Sequence, residues 1–331
     1  MAERRVLLLT RSGDGEFTRV AGLLRRIGVP VHRLDADRLE GIGVSWGSEG
    51  LTPAGGRPFT PTVVWRRHFS TRAAPAPPAV ADGMLYRDSW DALADGLLAG
   101  AGEAVGGTDP GQPRQLAQAA AAGVRVPRTL LTTDPSEAAA HLPPGRHVVK
   151  VADRHYVEPV PGRLTWYLPR VVEDHDPPGA PGVPRGTPVL VQEYVEHEAE
   201  LRVYLAGDEI VAFDVAKADP RDIWDRPDRV RVRRVAPPPS VTAAVRTLAR
   251  GWHLRYGAFD FLLAGGEAVF LEMNAHGDWL WYERRAGSDA VTQAAVRMVR
   301  DLHRSLTGAP ARPVDLLAFL GAGATGDGRQ G

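Results

Sequence analysis

Two carboxylates and an amide occupy matching places in what the sequence predicts to be a β-hairpin. Two apolar runs, joined by a glycine-rich turn, occupy residues 257–263 and 267–274, a pattern typical of paired antiparallel strands. Because side chains alternate along a strand, we expect Glu272 and Asn274 on one face, where Asp260 of the partner strand can join them. Oxygen ligands of this kind suit Mg²⁺ shared with substrate phosphates. The spacing therefore predicts a magnesium site; the alternative is that all three are ordinary polar residues at strand ends.

Lysine and asparagine are almost absent from the chain. Lys150 and Lys217 are the two lysines among 40 basic residues, and Asn274 is the single asparagine. An ammonium is a compact point charge, whereas a guanidinium is a planar fork. Positions that retain lysine are therefore the first candidates for a specific function, although compositional drift toward arginine is a competing explanation.

The composition excludes several classes of protein. The 331-residue chain has a formal net charge of zero, whereas general nucleic-acid binders carry a basic excess. The absence of cysteine excludes disulfides, thiolate zinc sites and a cysteine nucleophile. The apolar run at 6–9 is too short for a signal peptide or a membrane span. We expect a cytoplasmic protein that binds neither nucleic acid nor membrane.

Strand–helix–strand order in the first hundred residues predicts a parallel sheet. Strands are expected at 6–10, 29–34 and 62–65, and an amphipathic helix over 16–27. The loop after the first strand lacks a Gly-x-Gly-x-x-Gly pattern, and the chain has no P-loop. The predicted sheet therefore carries no recognisable dinucleotide or P-loop motif.

The Asp…Glu-x-Asn arrangement of Asp260, Glu272 and Asn274 resembles the magnesium site of ATP-grasp enzymes. The resemblance covers roughly residues 5–305 and implies an α/β (α+β lobes) fold, namely the ATP-grasp fold with an N-terminal parallel-sheet pre-ATP-grasp domain, and ATP and Mg²⁺ as cofactors. The expected units are 1–105 (N-terminal α/β domain), 106–188 (central subdomain, with a lid at 173–188), 189–308 (C-terminal subdomain with the Mg-ATP site) and 309–331 (disordered tail).

The resemblance assigns further residues to the nucleotide. Lys150 and Lys217 stand where the family has lysines on the α/β- and γ-phosphates, respectively. Arg202 and Lys217 are the implied catalytic residues, with Arg202 on the phosphoryl and acyl-phosphate oxygens; a salt bridge with Glu200 is the alternative for Arg202. The residues implied to hold adenine and ribose are Gln192, Glu193, Tyr194, Val195 and Glu200.

Longer motifs resemble the graspetide (microviridin-type) synthetases. They are Glu200-Leu201-Arg202-Val203, Trp65-Arg66-Arg67 and residues 270–283. Such ligases use ATP to close ester or amide rings between side chains of a ribosomal precursor peptide with a leader and an acidic core. Arg66 and Arg67 could then meet an acidic peptide, or could simply end an amphipathic strand. His276 could act as a general base.

The sequence departs from the family pattern at two places. Arg114 replaces a usual lysine, and the run 275–278 replaces a more usual Pro-Asn/Ser-Gly-Gln. Two other functions stay open: an ATP-grasp amino-acid or dipeptide ligase acting on free small molecules, and a non-catalytic peptide-binding module on the same fold. The resemblance also implies a homodimer.

Overall fold

The structure, a computed structural model, describes residues 3–106, 109–152, 155–160, 163–173 and 183–308. Most of the predicted lid and the whole predicted tail lie outside these residues. No helix in the described part of the chain is long and apolar enough to cross a membrane. Three units follow one another along the chain, each built on its own larger sheet.

The N-terminal unit is a mixed sheet with helices packed against it. Its elements are β1 (Glu3–Thr10), α1 (Gly15–Arg26), β2 (Val31–Asp35), β3 (Val44–Gly47), β4 (Gly50–Pro53), β5 (Phe59–Arg66), α2 (Val80–Ala99) and β6 (Glu103–Val105). Strands β2, β1, β5 and β6 run parallel, as predicted. The antiparallel β3–β4 hairpin, which pairs with β5, was not predicted.

The central unit is a four-stranded antiparallel sheet. The elements in this part of the chain are α3 (Gln112–Ala121), β7 (Thr129–Thr132), α4 (Ala138–His141), β8 (His147–Val151), β9 (Tyr156–Val160), β10 (Arg163–Trp166), β11 (Arg170–Val172) and β12 (Val189–Glu193). The strand order is β11-β8-β12-β7, and β9 and β10 form a separate hairpin. Because β12 pairs with β7 and β8, the boundary predicted between residues 188 and 189 lies one strand too early.

The C-terminal unit is a five-stranded antiparallel sheet in the order β15-β14-β13-β16-β17. Its elements are β13 (Ala199–Ala206), β14 (Glu209–Ala216), α5 (Asp222–Asp225), β15 (Arg231–Val235), α6 (Pro239–Gly251), β16 (Tyr256–Ala264), β17 (Glu267–Asn274), α7 (Leu280–Ala286) and α8 (Ala290–Thr307). The predicted hairpin is β16–β17. One face of the sheet packs on α6 and on α3, so α3 joins this unit rather than the central one.

The other face of the C-terminal sheet shares a core with the N-terminal unit. Tyr204 of β13 and Trp65 of β5 belong to one buried cluster, which helix α8 completes. Near the end of α8, Nδ1 of His303 lies 2.8 Å from the Thr62 hydroxyl of β5. The first and last parts of the chain therefore form one packed body, and the central sheet is inserted between them in sequence.

Replacement of Phe270 tests the packing of the core between the C-terminal sheet and its helices. The Phe270 side chain has no exposed surface there. Phe270→Ala leaves a cavity and should lower the free energy of unfolding by about 3–5 kcal/mol. The control, Leu131→Ala, changes a half-exposed residue of β7 and should shift it by about 0.5 kcal/mol or less. Urea unfolding followed by tryptophan fluorescence measures both, and equal midpoints for the two variants would contradict this core.

Candidate active site

The predicted magnesium ligands lie together on the β16–β17 hairpin. Asp260 pairs with Glu272, and Ala258 with Asn274, so the three polar side chains share one face. The Asn274 amide nitrogen donates to Glu272 Oε1 at 3.3 Å, which leaves the amide oxygen as a ligand atom. Within the described ranges no three His, Cys, Asp or Glu side chains gather as a metal cluster. Two carboxylates and an amide nevertheless fit Mg²⁺ when substrate phosphates and water complete its shell.

A β-bulge brings an apolar side chain to the same face. The pairing register shifts by one residue beside Asp260, so that Leu271 and Glu272 both lie opposite it. Leu271 and Val195 both pack against the buried cluster of Leu262, Ala264 and Val269. Simple alternation puts Leu271 and Glu272 on opposite faces, which is why sequence reasoning missed Leu271. The bulge thus sets an apolar cluster beside the carboxylates.

Each acidic side chain of the site has a basic partner. The pairs are Arg202–Asp260 (2.7 Å between nitrogen and oxygen), Lys150–Glu272 (3.9 Å) and Lys217–Glu200. Arg202 therefore pairs with Asp260 and not with Glu200, the alternative considered above. Because Lys150 comes from β8 and Glu272 from β17, the site lies where the central and C-terminal sheets face each other.

Burial and neighbouring charges set the ionisation of these groups. Burial raises the pKa of Asp260 to about 6, although the Arg202 guanidinium opposes the rise. Burial acts in the same direction on Glu272, but the Lys150 ammonium helps to outweigh it and holds the pKa of Glu272 below its ordinary value. Burial lowers the pKa of Lys150, which Glu272 opposes. Asp260 thus relies on a nearby cation to stay ionised, whereas Glu272 is an anion at neutral pH.

Of the residues predicted to read adenine, Gln192 and Glu193 end β12, and Tyr194 and Val195 follow it. Several of their polar groups have internal partners. The Gln192 amide nitrogen donates to a hydroxyl of β7 at 2.9 Å, and a Glu193 carboxylate oxygen accepts from the backbone N–H just before β7. The Arg146 guanidinium lies 4.0 Å from the centre of the Tyr194 ring. These side-chain contacts stabilise the strand. The groups left as candidates to bind a planar ring are therefore the main chain and the apolar cluster that includes Leu271.

Two glutamines of α3 position the strand that carries Glu272. Gln112 Nε2 donates to Glu272 Oε2 at 2.7 Å. Gln115 contacts the Met273 backbone twice: Oε1 accepts from its N–H at 2.7 Å, and Nε2 donates to its carbonyl at 2.8 Å. Sequence reasoning missed both roles. The available signal was two glutamines three residues apart on one face of a helix.

The Arg202 guanidinium is enclosed by two aromatic rings and a glycine. Its Cζ lies 5.4 Å from the ring centres of both Tyr204 and Tyr282, and Nε donates to the Tyr204 hydroxyl at 3.2 Å. A Cβ at Gly277 would lie 2.3 Å from the Ala258 Cβ and 2.7 Å from Arg202 Nη2, so this position beside Arg202 requires glycine. The Tyr204 hydroxyl donates to the Asp278 carbonyl. Arg202 is therefore tied to the loop that follows β17.

Arg67 lies in the interior, which corrects the prediction that it meets a peptide. Its side chain has no exposed surface, lies 2.9 Å from Asp14 and 3.4 Å from Glu16, and pairs with Asp278. The Trp279 ring centre lies 4.6 Å from its Cζ. Burial disfavours its charge, but Asp14 and Asp278 outweigh this effect and hold the pKa of Arg67 above its ordinary value. Arg67 is a structural cation between the N- and C-terminal units.

Arg66 and His276, the other two predicted substrate residues, have separate partners. Arg66 pairs with Asp91 and Asp95 of α2, at 3.3 and 2.6 Å. The His276 carbonyl accepts from Arg67 Nε at 3.2 Å. Arg66 is thus held within the N-terminal unit, whereas His276 stays in the loop beside Arg202. The structure does not gather the three predicted substrate residues into one surface.

Solved structures of other proteins share this architecture. The ATP-grasp ligase PsnB, complexed with a phosphomimetic variant of a minimal precursor, Mg and ADP, is 22% identical with a TM-score of 0.68, over 90% of this chain and 100% of that chain. The macrocyclase MdnC from Microcystis aeruginosa MRC, bound with the precursor peptide MdnA, is 18% identical with a TM-score of 0.69, over 89% and 99%. A RiPP-associated ATP-grasp ligase from Chryseobacterium gregarium, in complex with ADP and a leader and core peptide, is 17% identical with a TM-score of 0.67, over 96% and 100%. No protein-family model and no curated protein matches the chain.

The chain has the ATP-grasp fold. The predicted fold class is therefore confirmed. At these identities the likeness is one of architecture, and it extends over nearly the whole of each compared chain. In this ATP-grasp fold the predicted magnesium ligands of β16–β17 face the lysine of β8.

Arg67→Met tests the buried ion pairs between the units. The change leaves Asp14, whose side chain has no exposed surface, without its cation, and should lower the free energy of unfolding by about 3–5 kcal/mol. The matched control, Arg66→Met, breaks a partly exposed pair and should cost about 1 kcal/mol or less. Urea unfolding measures both. If Arg67→Met lowered the free energy of unfolding as little as Arg66→Met, the structural role of Arg67 would be contradicted. Arg67 would then again be a candidate substrate residue.

Proposed function

We propose that this chain is an ATP-dependent carboxylate ligase that forms ester or amide cross-links within a ribosomal precursor peptide. The observation that carries the proposal is that Asp260, Glu272 and Asn274 meet the cations Lys150 and Arg202 in an ATP-grasp fold. Ligases with this fold have been solved with Mg, ADP and precursor peptides. The oxygen ligands of β16–β17 and the fold each support ATP-dependent ligation.

The nucleotide is assigned to the cleft between the central and C-terminal sheets. Lys150 and Lys217 supply compact positive charges for the phosphates. The apolar cluster that contains Val195 and Leu271 suits the adenine ring, and the Glu200 carboxylate suits the ribose hydroxyls. Mg²⁺ held by the hairpin ligands supplies charge neutralisation at the phosphates. The phosphates, Mg²⁺ and the ribose would exchange with ion pairs already present in the site.

The proposed reaction has two steps. A substrate carboxylate attacks the γ-phosphorus of ATP, and the bond to the β–γ bridging oxygen breaks. This step releases ADP and forms an acyl phosphate. A hydroxyl or amine of the same peptide then attacks the acyl carbon, and the bond to the phosphate oxygen breaks, so the peptide loses one water per cross-link. Arg202, held by Tyr204 and Tyr282, places a fixed positive charge for the oxygens on which negative charge develops. Catalysis is mainly positioning and charge stabilisation.

A precursor peptide is the favoured substrate because ligases of this fold bind one with its leader and core. The competing substrate is a free amino acid or dipeptide, whose ligation shares the acyl-phosphate step. We also propose a homodimer, which the family resemblance implies, and a cytoplasmic location.

Glu272→Gln tests the proposed activity. Wild-type protein with Mg²⁺, ATP and a candidate acidic precursor peptide should show peptide-stimulated ATP turnover, with loss of one water per bond in the peptide mass. Glu272→Gln removes a ligand charge and should lower turnover by about 100-fold or more. Coupled detection of ADP and mass spectrometry of the peptide measure the two products.

Glu267→Gln is the matched control for this experiment. Glu267 lies on the same strand, but its side chain is 72% exposed and pairs only with the half-exposed Arg125 among the described residues. It should behave as wild type. Turnover only with free amino acids would move the assignment to a small-molecule ligase, and absence of ATP binding would refute the ligase proposal.

A further inference from the structure

His68 has an unusual backbone for its position. Its φ is +54°, in the left-handed region that residues other than glycine rarely adopt. His253 has a similar φ of +53°, but it follows α6, where a left-handed residue commonly ends a helix and the Leu254 N–H bonds back to the Ala249 carbonyl. No helix precedes His68, which comes two residues after β5. Such strain concentrates at functional sites, where surrounding structure holds it.

The His68 ring is oriented by a carboxylate. Nε2 lies 2.8 Å from Asp278 Oδ1, the same oxygen that pairs with Arg67. Burial opposes ionisation of Asp278, but the hydrogen bond from His68 and the Arg67 charge outweigh it and hold the pKa of Asp278 well below its ordinary value. Because an ionised carboxylate only accepts hydrogen bonds, Nε2 carries the proton. In the neutral form of this ring the lone pair is therefore on Nδ1, and the side chain retains 18% exposure.

His68 is linked to Arg202, the cation of the proposed site, through the loop after β17. The loop after β17 places Gly277 against Arg202 Nη2 and the next residue, Asp278, against His68. The Asp278 carbonyl also accepts from the Tyr204 hydroxyl, which contacts Arg202 Nε. One short loop thus fixes His68 and Arg202 relative to each other. The two groups come from different units, so the arrangement exists only when the units are packed together.

We propose that His68 is the general base of the cross-linking step, an inference that rests on the proposed ligase function. Nδ1 of His68 takes a proton from the attacking hydroxyl or amine. At the same time the oxygen or nitrogen of that nucleophile bonds to the acyl carbon. The electron pair of the breaking bond leaves with phosphate, and the imidazolium returns its proton to phosphate or water. Asp278 fixes the ring and stabilises the transient imidazolium. Acyl-phosphate formation does not use His68.

Trapping with hydroxylamine separates the two steps. Hydroxylamine is itself a good nucleophile and converts an acyl phosphate to a hydroxamate without a protein base. In His68→Gln, ATP- and peptide-dependent hydroxamate formation should stay within about 3-fold of wild type, while ring closure falls by about 100-fold or more. Added imidazole should partly restore ring closure in His68→Ala. His253→Gln, at the other left-handed histidine, is the matched control and should match wild type in both assays.

Each outcome decides something different. Absence of hydroxamate in wild-type protein would reject the ligase proposal itself, before His68 is considered. Equal loss of trapping and ring closure in a His68 variant that unfolds at the wild-type midpoint, or no loss of either, would overturn the role as general base. His68→Asn, which tolerates the left-handed backbone better than most residues, repeats the test should His68→Gln fail to fold.

Discussion

Arg67 carries a positive charge into an apolar core and meets carboxylates from both ends of the chain. Asp14 and Glu16 come from the start of α1, and Asp278 from the loop after β17. An isolated buried charge is costly, so the packing of the two units and the pairing of these groups depend on each other. The same loop brings Gly277 against Arg202. The geometry of the candidate site is therefore set by an ion-pair network outside it.

The site itself is electrically balanced. Asp260, Glu272 and Glu200 each have a basic partner, which removes the cost of three neighbouring anions in a partly buried cleft. Under the proposed function, Asp260 would bind a divalent cation in place of Arg202, and the Tyr204 hydroxyl and two aromatic rings would still hold the guanidinium. The arginine is thus available to substrate without losing its position.

How far the sequence predicts this structure depends on the range of the interactions. The β16–β17 hairpin follows from local alternation and a glycine-rich turn, so its two strands and the shared face of Glu272 and Asn274 could be predicted. Asp260 joins that face because of the bulge at Leu271, which alternation does not predict. The burial of Arg67 could not, because its partners Asp14 and Asp278 lie 53 and 211 residues away. Gln112 contacts Glu272 across 160 residues, and helical spacing alone does not show which surface it meets. The bulge at Leu271 breaks the period on which strand reasoning depends.

Helix α8 bears on how the protein is made. It covers β1 and β5, and contacts such as Thr62–His303 join residues 241 positions apart. Contacts of this range form slowly because the loop between them must close first. During synthesis α1 and the first sheet emerge long before α8, so their apolar face stays uncovered until α8 has left the ribosome. The N-terminal unit is therefore a poor candidate for expression alone, and the nascent chain is most exposed to aggregation before α8 emerges.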